Sequence, residues 1–318
     1  MRRIDERKSS SSWPVIGLLT AAALLFAATA TRAADDAVEN SAVGESAAGE
    51  IQRVRVAGIV LKWLRTDKET NYARAKKLIT AAAQGGAQLV CTTECFLDGY
   101  AIKDKSIPLD EYRALGEVIP DGKFYQRLAE LADRLNIYLV AGMLEADGEA
   151  RYNTAVFIDP EGRLVGKYRK HKLDHELVRN TPGTETPVFR TPFGEIGIMI
   201  CADRRDPDLV KRLSDGGAKF LICPSGGMFG PESNDPIVQA RSKENGVPIL
   251  FVHPAEFLVT DSGGEIRART ILGDRLEITT AEIGGENDKN DVFFFELPLA
   301  AKNELSGSTP PIVPGGSK

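Results

Sequence analysis

Residues 194–208 read GEIGIMICADRRDPD. Ile196, Ile198 and Ile200 alternate with their neighbours, the pattern of a short strand with one buried face. Cys201 stands where that strand should end, and Asp203, Arg204, Arg205, Asp206, Pro207 and Asp208 follow it. A helix is expected after Pro207, with Leu209, Val210 and Leu213 on one face. A cysteine on a tight strand-to-helix connection has its sulfur held out of the sheet. Nearby backbone N–H groups can then meet a developing oxyanion. The same cysteine also reads as a small apolar group packed in a core. The stretch alone leaves both readings open.

Outward from this strand the pattern repeats. Strands are expected at 54–61, 87–91, 137–143, 219–223 and 249–253. Helices are expected at 70–83, 124–135, 208–214 and 236–245. Gly85-Gly86 and Gly216-Gly217 close two of the helices. Strands at 154–158 and 163–168 flank Asp159-Pro160-Glu161-Gly162, a turn signal that makes a hairpin. A later hairpin is expected from 259–266 and 267–272. Alternating strands and helices mean an α/β domain, and the hairpins make its sheets mixed. One domain spans 52–299.

The 318 residues are 42% hydrophobic and 27% charged, with a formal charge of −5. That composition supports a large core and offers no extended basic face for nucleic acid. Four cysteines, at 91, 95, 201 and 223, are too few and scattered for a disulfide framework. All four are expected to remain thiols. His171 and His175 are four apart but lack the interposed glutamate of a zinc motif, so no metal is expected.

Residues 1–33 resemble a secretory leader. Arg2, Arg3, Arg7 and Lys8 precede an alanine-rich apolar run at 15–30, and small residues near Ala30 and Ala33 suit cleavage. The chain is therefore expected to be exported, periplasmic or extracellular, with an uncleaved N-terminal anchor as the alternative. No stable membrane span is expected once the leader is removed. Residues 34–51 read as a flexible acidic linker, and 300–318 as a disordered tail.

Three polar residues stand at expected strand ends: Glu94, Lys170 and Cys201. Open α/β sheets gather their sites there. Glu94 follows AQLVCTT, and Lys170 ends YNTAVFIDPEGRLVGKYRK. Cys201 lies in IGIMICADRRDP, with TPG at 181–183 and RSKENGVP at 241–248. On these motifs, in this order across 52–299, the sequence resembles the nitrilase superfamily of carbon–nitrogen hydrolases. The resemblance implies a four-layer α-β-β-α sandwich and a Glu94–Lys170–Cys201 catalytic triad. It also implies a second glutamate, matched by Glu176, and a homodimer or larger assembly.

Those roles suit the chemistry. A cysteine attacks an amide or nitrile carbon as its thiolate. Glu94 can take the thiol proton and later activate water. Lys170 offers a positive charge to the oxyanion. No cofactor is required.

Cys201-Ala202-Asp203-Arg204-Arg205-Asp206-Pro207 is similar to the Cys-Asn-Asp-Arg-Arg-Trp-Pro of N-carbamoyl-amino-acid amidohydrolases. There, an arginine after the nucleophile binds the substrate carboxylate, so Arg204 or Arg205 is expected either to select an acidic amide or ureido substrate or to pair with Asp203, Asp206 or Asp208. Ser225, in Pro224-Ser225-Gly226-Gly227, is expected to line the pocket. Asp206 departs from that pattern, as does His171 directly after Lys170. Two other functions use the same residues differently: an acyltransferase passing the thioester to an amine, and a silent binding protein.

Overall fold

A computed structural model of the chain describes residues 53–227 and 230–298. The expected leader, linker and tail lie outside the described residues. In chain order the elements are β1 (Arg53–Val60), α1 (Lys68–Gln84), β2 (Leu89–Cys91), α2 (Leu109–Ala114), β3 (Glu117–Val118), α3 (Lys123–Leu135), β4 (Tyr138–Asp147), β5 (Ala150–Ile158), β6 (Leu164–Arg169), β7 (Val188–Thr191), β8 (Gly194–Ile198), α4 (Pro207–Asp215), β9 (Phe220–Pro224), α5 (Pro231–Asn245), β10 (Ile249–His253), β11 (Glu256–Thr260), β12 (Ile266–Ile271) and β13 (Asp291–Pro298).

The central strands are apolar on both faces, so both faces must be covered. In β1, Val54 and Val56 face one core while Ala57 and Ile59 face another. In β9, Phe220 and Ile222 point one way and Leu221 and Cys223 the other. Two sheets result. The first has strand order β13-β1-β2-β4-β5-β6, with β3 beside β4; the second runs β12-β11-β10-β9-β8-β7. Parallel pairs β1–β2, β2–β4, β8–β9 and β9–β10 occupy the centres, and antiparallel hairpins extend the edges.

Val54, Val56, Val140 and Phe157 of the first sheet pack on Ile196, Ile198, Ile222 and Val252 of the second. Each such side chain contributes about 1.5–3 kcal/mol when fully buried. Tyr72, Ala75 and Ile79 of α1 and Leu128 and Leu131 of α3 cover the outer face of the first sheet. Leu209, Val210 and Leu213 of α4 and Val238 of α5 cover that of the second. The expected α-β-β-α sandwich is therefore present. Among the described residues no helix is long and apolar enough to cross a membrane.

Three local readings need correction. The helix expected from Pro236 begins at Pro231, which takes the first helical position, where a missing N–H costs nothing. Pro236 lies inside it, one turn in. The late hairpin turns at 261–265, because the Asp261 carboxylate accepts from Gly263 and Glu265 N–H and Gly264 takes φ +83°. Strands β7 and β13 were not anticipated. In β13 most side chains are only partly buried, which blurs the two-residue period.

Candidate active site

The carboxyl ends of β2, β6 and β8 converge, and each delivers one polar residue. Beyond β2 the chain runs through Thr92 and Thr93 to Glu94, whose N–H donates to the Ser225 carbonyl (3.3 Å). Beyond β6, the Lys170 N–H donates to Asn153 O (2.8 Å), fixing where its side chain starts. Beyond β8, Cys201 opens a short 3₁₀ turn, Cys201–Arg205.

Cys201 adopts φ +47°, and Cys95, Tyr100 and Asp174 of the surrounding loops are also left-handed. For a residue with a Cβ this costs on the order of 1–3 kcal/mol, and it is held by the packing around it. The result at Cys201 is a sharp elbow that puts the sulfur at a cavity wall.

Glu94, Lys170 and Glu176 form one buried cluster. Lys170 Nζ donates to Glu94 Oε1 and to Glu176 Oε1, both at 2.6 Å. Asn153 Nδ2 bridges the same two carboxylates, at 2.7 Å to Glu94 Oε1 and 3.0 Å to Glu176 Oε2. Tyr100 Oη and Asn180 Nδ2 complete the shell of Glu176. Glu94 Oε2 is buried without a hydrogen-bond partner among the described residues. Gly226 keeps the space beside it open: a Cβ there would lie 3.0 Å from Oε2 and 3.1 Å from the Trp63 ring.

Two carboxylates share one ammonium, and this sets the proton affinities. Burial raises the Glu94 pKa; Lys170 pulls it back, and the charge of Glu176 raises it further. Burial alone would lower Lys170, but Glu94 and Glu176 outweigh it and hold the amine well above its usual range. Lys170 is thus a permanent cation, two of its three protons committed and one available. Glu94 is a carboxylate with an enhanced appetite for a proton, the property a general base needs near neutrality.

A cavity of about 270 Å³ opens over this group. Tyr100, Lys170, Leu173, Cys201 and Ala202 line it, with Lys103, Asp174, His175 and Arg205 toward solvent. Arg205 pairs with Asp174 at this outer edge.

The structure thus brings Glu94, Lys170, Glu176 and Cys201 together and separates the two arginines. Arg205 lines the cavity. Arg204 does not: it is 2% exposed and lies under the elbow, its guanidinium bonded to Cys201 O and Asn234 Oδ1. Ser225 is likewise displaced from the expected pocket wall, because its fully buried backbone supports Glu94 from behind; Gly227 lines the cavity instead. All four cysteines are free and buried.

Asn153, Tyr100 and Trp63 were not singled out from the sequence. Asn153 carried a usable signal, as an amide next to the apolar run of β5. Its role depends on three segments meeting, which no local pattern encodes.

The carbon–nitrogen hydrolase family matches residues 53–283. The omega-amidase of Xenopus tropicalis is 36% identical over 203 residues, covering 59% of this chain and 70% of the relative. That of Saccharomyces cerevisiae is 30% identical over 266 residues, covering 74% and 88%. Among solved structures, a Saccharomyces cerevisiae protein of branch 10 of the nitrilase superfamily superposes with TM-score 0.64. It is 27% identical and covers 78% of this chain and 90% of its own. An amidase of Nesterenkonia from the same superfamily shares the fold at TM-score 0.65 and 20% identity, covering 81% and 98%.

Proposed function

The chain belongs to the carbon–nitrogen hydrolase family, and on that premise we propose that it hydrolyses the terminal amide of a small carboxylic acid through a Cys201 thioester. The observation that carries this reading is the buried Glu94–Lys170–Glu176 cluster, whose Lys170 shares the wall of one small cavity with Cys201.

The Cys201 sulfur bonds to the carbonyl carbon, and the thiol proton goes to Glu94. The free proton of Lys170 faces the oxyanion. Collapse breaks the C–N bond, and the amine leaves as ammonia with the proton from Glu94. Water then adds to the thioester, its proton passing through Glu94 to the departing sulfur, and the acid is released.

Arg205, at the outer edge of the cavity, supports selection of an acidic substrate, since a guanidinium matches a carboxylate in two hydrogen bonds. The similarity to omega-amidases favours an amide. The CADRRDP segment favours an N-carbamoyl acid as the second reading, although Arg204 is not in position to assist. The leader-like residues 1–33 support an exported enzyme.

Ammonia release from amides of dicarboxylic acids, N-carbamoyl amino acids, neutral amides and nitriles tests this. Acidic amides should respond best, and Cys201→Ala should be silent. Release that persists in Cys201→Ala, or none from any compound by the folded protein, would overturn the reading.

A further inference from the structure

Arg204 is a buried cation without a carboxylate partner among the described residues. Its guanidinium donates to Cys201 O and to Asn234 Oδ1 (2.6 Å), and it lies 5.3 Å from the Phe251 ring centroid. Its remaining contact is the Cys201 sulfur, 3.7 Å from Nη1. Two carbonyl oxygens and an aromatic face do not neutralise a buried charge; an anion would. The group in contact that can become one is the thiol.

We propose that Arg204 is the resident counter-ion of the Cys201 sulfur, so that the free enzyme holds Cys201 as a thiolate and Glu94 holds its proton. One S–H bond breaks and one O–H bond forms; nothing is oxidised. The inference rests on Cys201 being the nucleophile, but on no particular substrate.

The surroundings accommodate the transfer. Lys170 faces the sulfur from the end of β6 and is tied to two carboxylates. A cluster of two carboxylates and one ammonium gains by accepting a proton. Asp203, on the same turn as Arg204, is committed to Tyr168 Oη (2.8 Å), Lys172 N (2.7 Å) and Ile200 N (3.0 Å). Tyr100 and Cys223 also face Cys201, and burial raises both pKa values, so each stays neutral. A guanidinium against the sulfur also explains why Arg204 lies beneath the elbow, where no substrate reaches it.

The test is the pH dependence of Cys201 alkylation by iodoacetamide. The full chain is used without substrate, with peptide mapping to isolate Cys201 and Cys201→Ser as background. Wild type should react with a midpoint well below that of an ordinary thiol, about 8.5. Arg204→Met should move the midpoint up by about one pH unit or more, a tenfold change in thiolate fraction. Arg204→Lys should recover part of the shift. A wild-type midpoint in the ordinary thiol range overturns the proposal, whether or not the variants fold. So does an unchanged midpoint in folded Arg204→Met, or, where that variant fails to fold, an unchanged midpoint in the equally uncharged Arg204→Gln. A low, Arg204-dependent midpoint in a protein silent toward every amide would leave this inference standing and defeat the hydrolase reading alone.

Discussion

Replacing Gly142 by alanine should inactivate the enzyme without touching a reactive group. Gly142 lies in β4, directly behind the loop that carries Glu94, and its N–H donates to Thr92 Oγ1 (3.1 Å). A Cβ at this position would fall 2.5 Å from Thr93 O, 2.7 Å from Cys95 N and 2.9 Å from Glu94 Cα. All three are backbone atoms, so no side chain can swing aside. Ordinary contact begins at 3.4 Å, and the loop must therefore retreat by about 0.9 Å. That movement is enough to break the 2.6 Å bond between Glu94 and Lys170. Overpacking of this kind costs about 1–3 kcal/mol of stability, and a misplacement near 1 Å costs roughly 100-fold in rate. The assay is kcat/KM on the best amide of the substrate panel, beside urea unfolding. Gly230→Ala serves as the control. Among the described residues nothing lies within 4 Å of a Cβ built there and its φ is an ordinary −90°; as the N-cap of α5 it should change stability by no more than about 1 kcal/mol and leave turnover intact. A folded Gly142→Ala enzyme with wild-type turnover would refute the idea that the Glu94 loop must sit where β4 holds it.

Glu176→Gln removes one of the two anions around Lys170 and should lower kcat about 10- to 100-fold. Because the charge of Glu176 helps raise Glu94, the acid limb of the pH–rate profile should also move to lower pH. A profile displaced upward would contradict this electrostatic account. Glu256 is buried beside Asp235, and burial followed by that neighbour raises its pKa from 4.5 to about 8. Between those values the folded chain keeps a proton that the unfolded chain has released, so stability falls as pH rises through the window. Urea midpoints at pH 5 and pH 8 should converge in Glu256→Gln relative to wild type. Asp206 caps α4 by accepting from Asp208 and Leu209 N–H, each at 3.1 Å. Asp206→Ala should cost about 1 kcal/mol in the same unfolding assay, and no loss would mean that water replaces the cap.

The strands that build the core were legible as short, nearly continuous apolar runs bounded by turn residues. The bounds of β9 and β10 fall within one residue of those expected. Where the signal was mixed, the reading slipped. Pro236 resembled a helix start because proline usually is one, yet Pro231 lies five residues earlier and takes that position. The late hairpin was misplaced because its strands alternate on both sides of a turn that Asp261 and Gly264 define.

Hydrophobic pattern and chain order alone determined the α/β class and placed Glu94, Lys170 and Cys201 at strand ends, because both are local properties; the two-sheet sandwich came from the resemblance of the motifs to the nitrilase superfamily. That resemblance also marked Glu176, six residues beyond Lys170. What tertiary structure decided was the use of each neighbouring charge. Arg204 and Arg205 are adjacent in the chain and chemically identical, and no pattern distinguishes them. The 3₁₀ turn after Cys201 points one beneath the sulfur and the other into the cavity, and only the packing of α5 and β10 behind that turn fixes which is which.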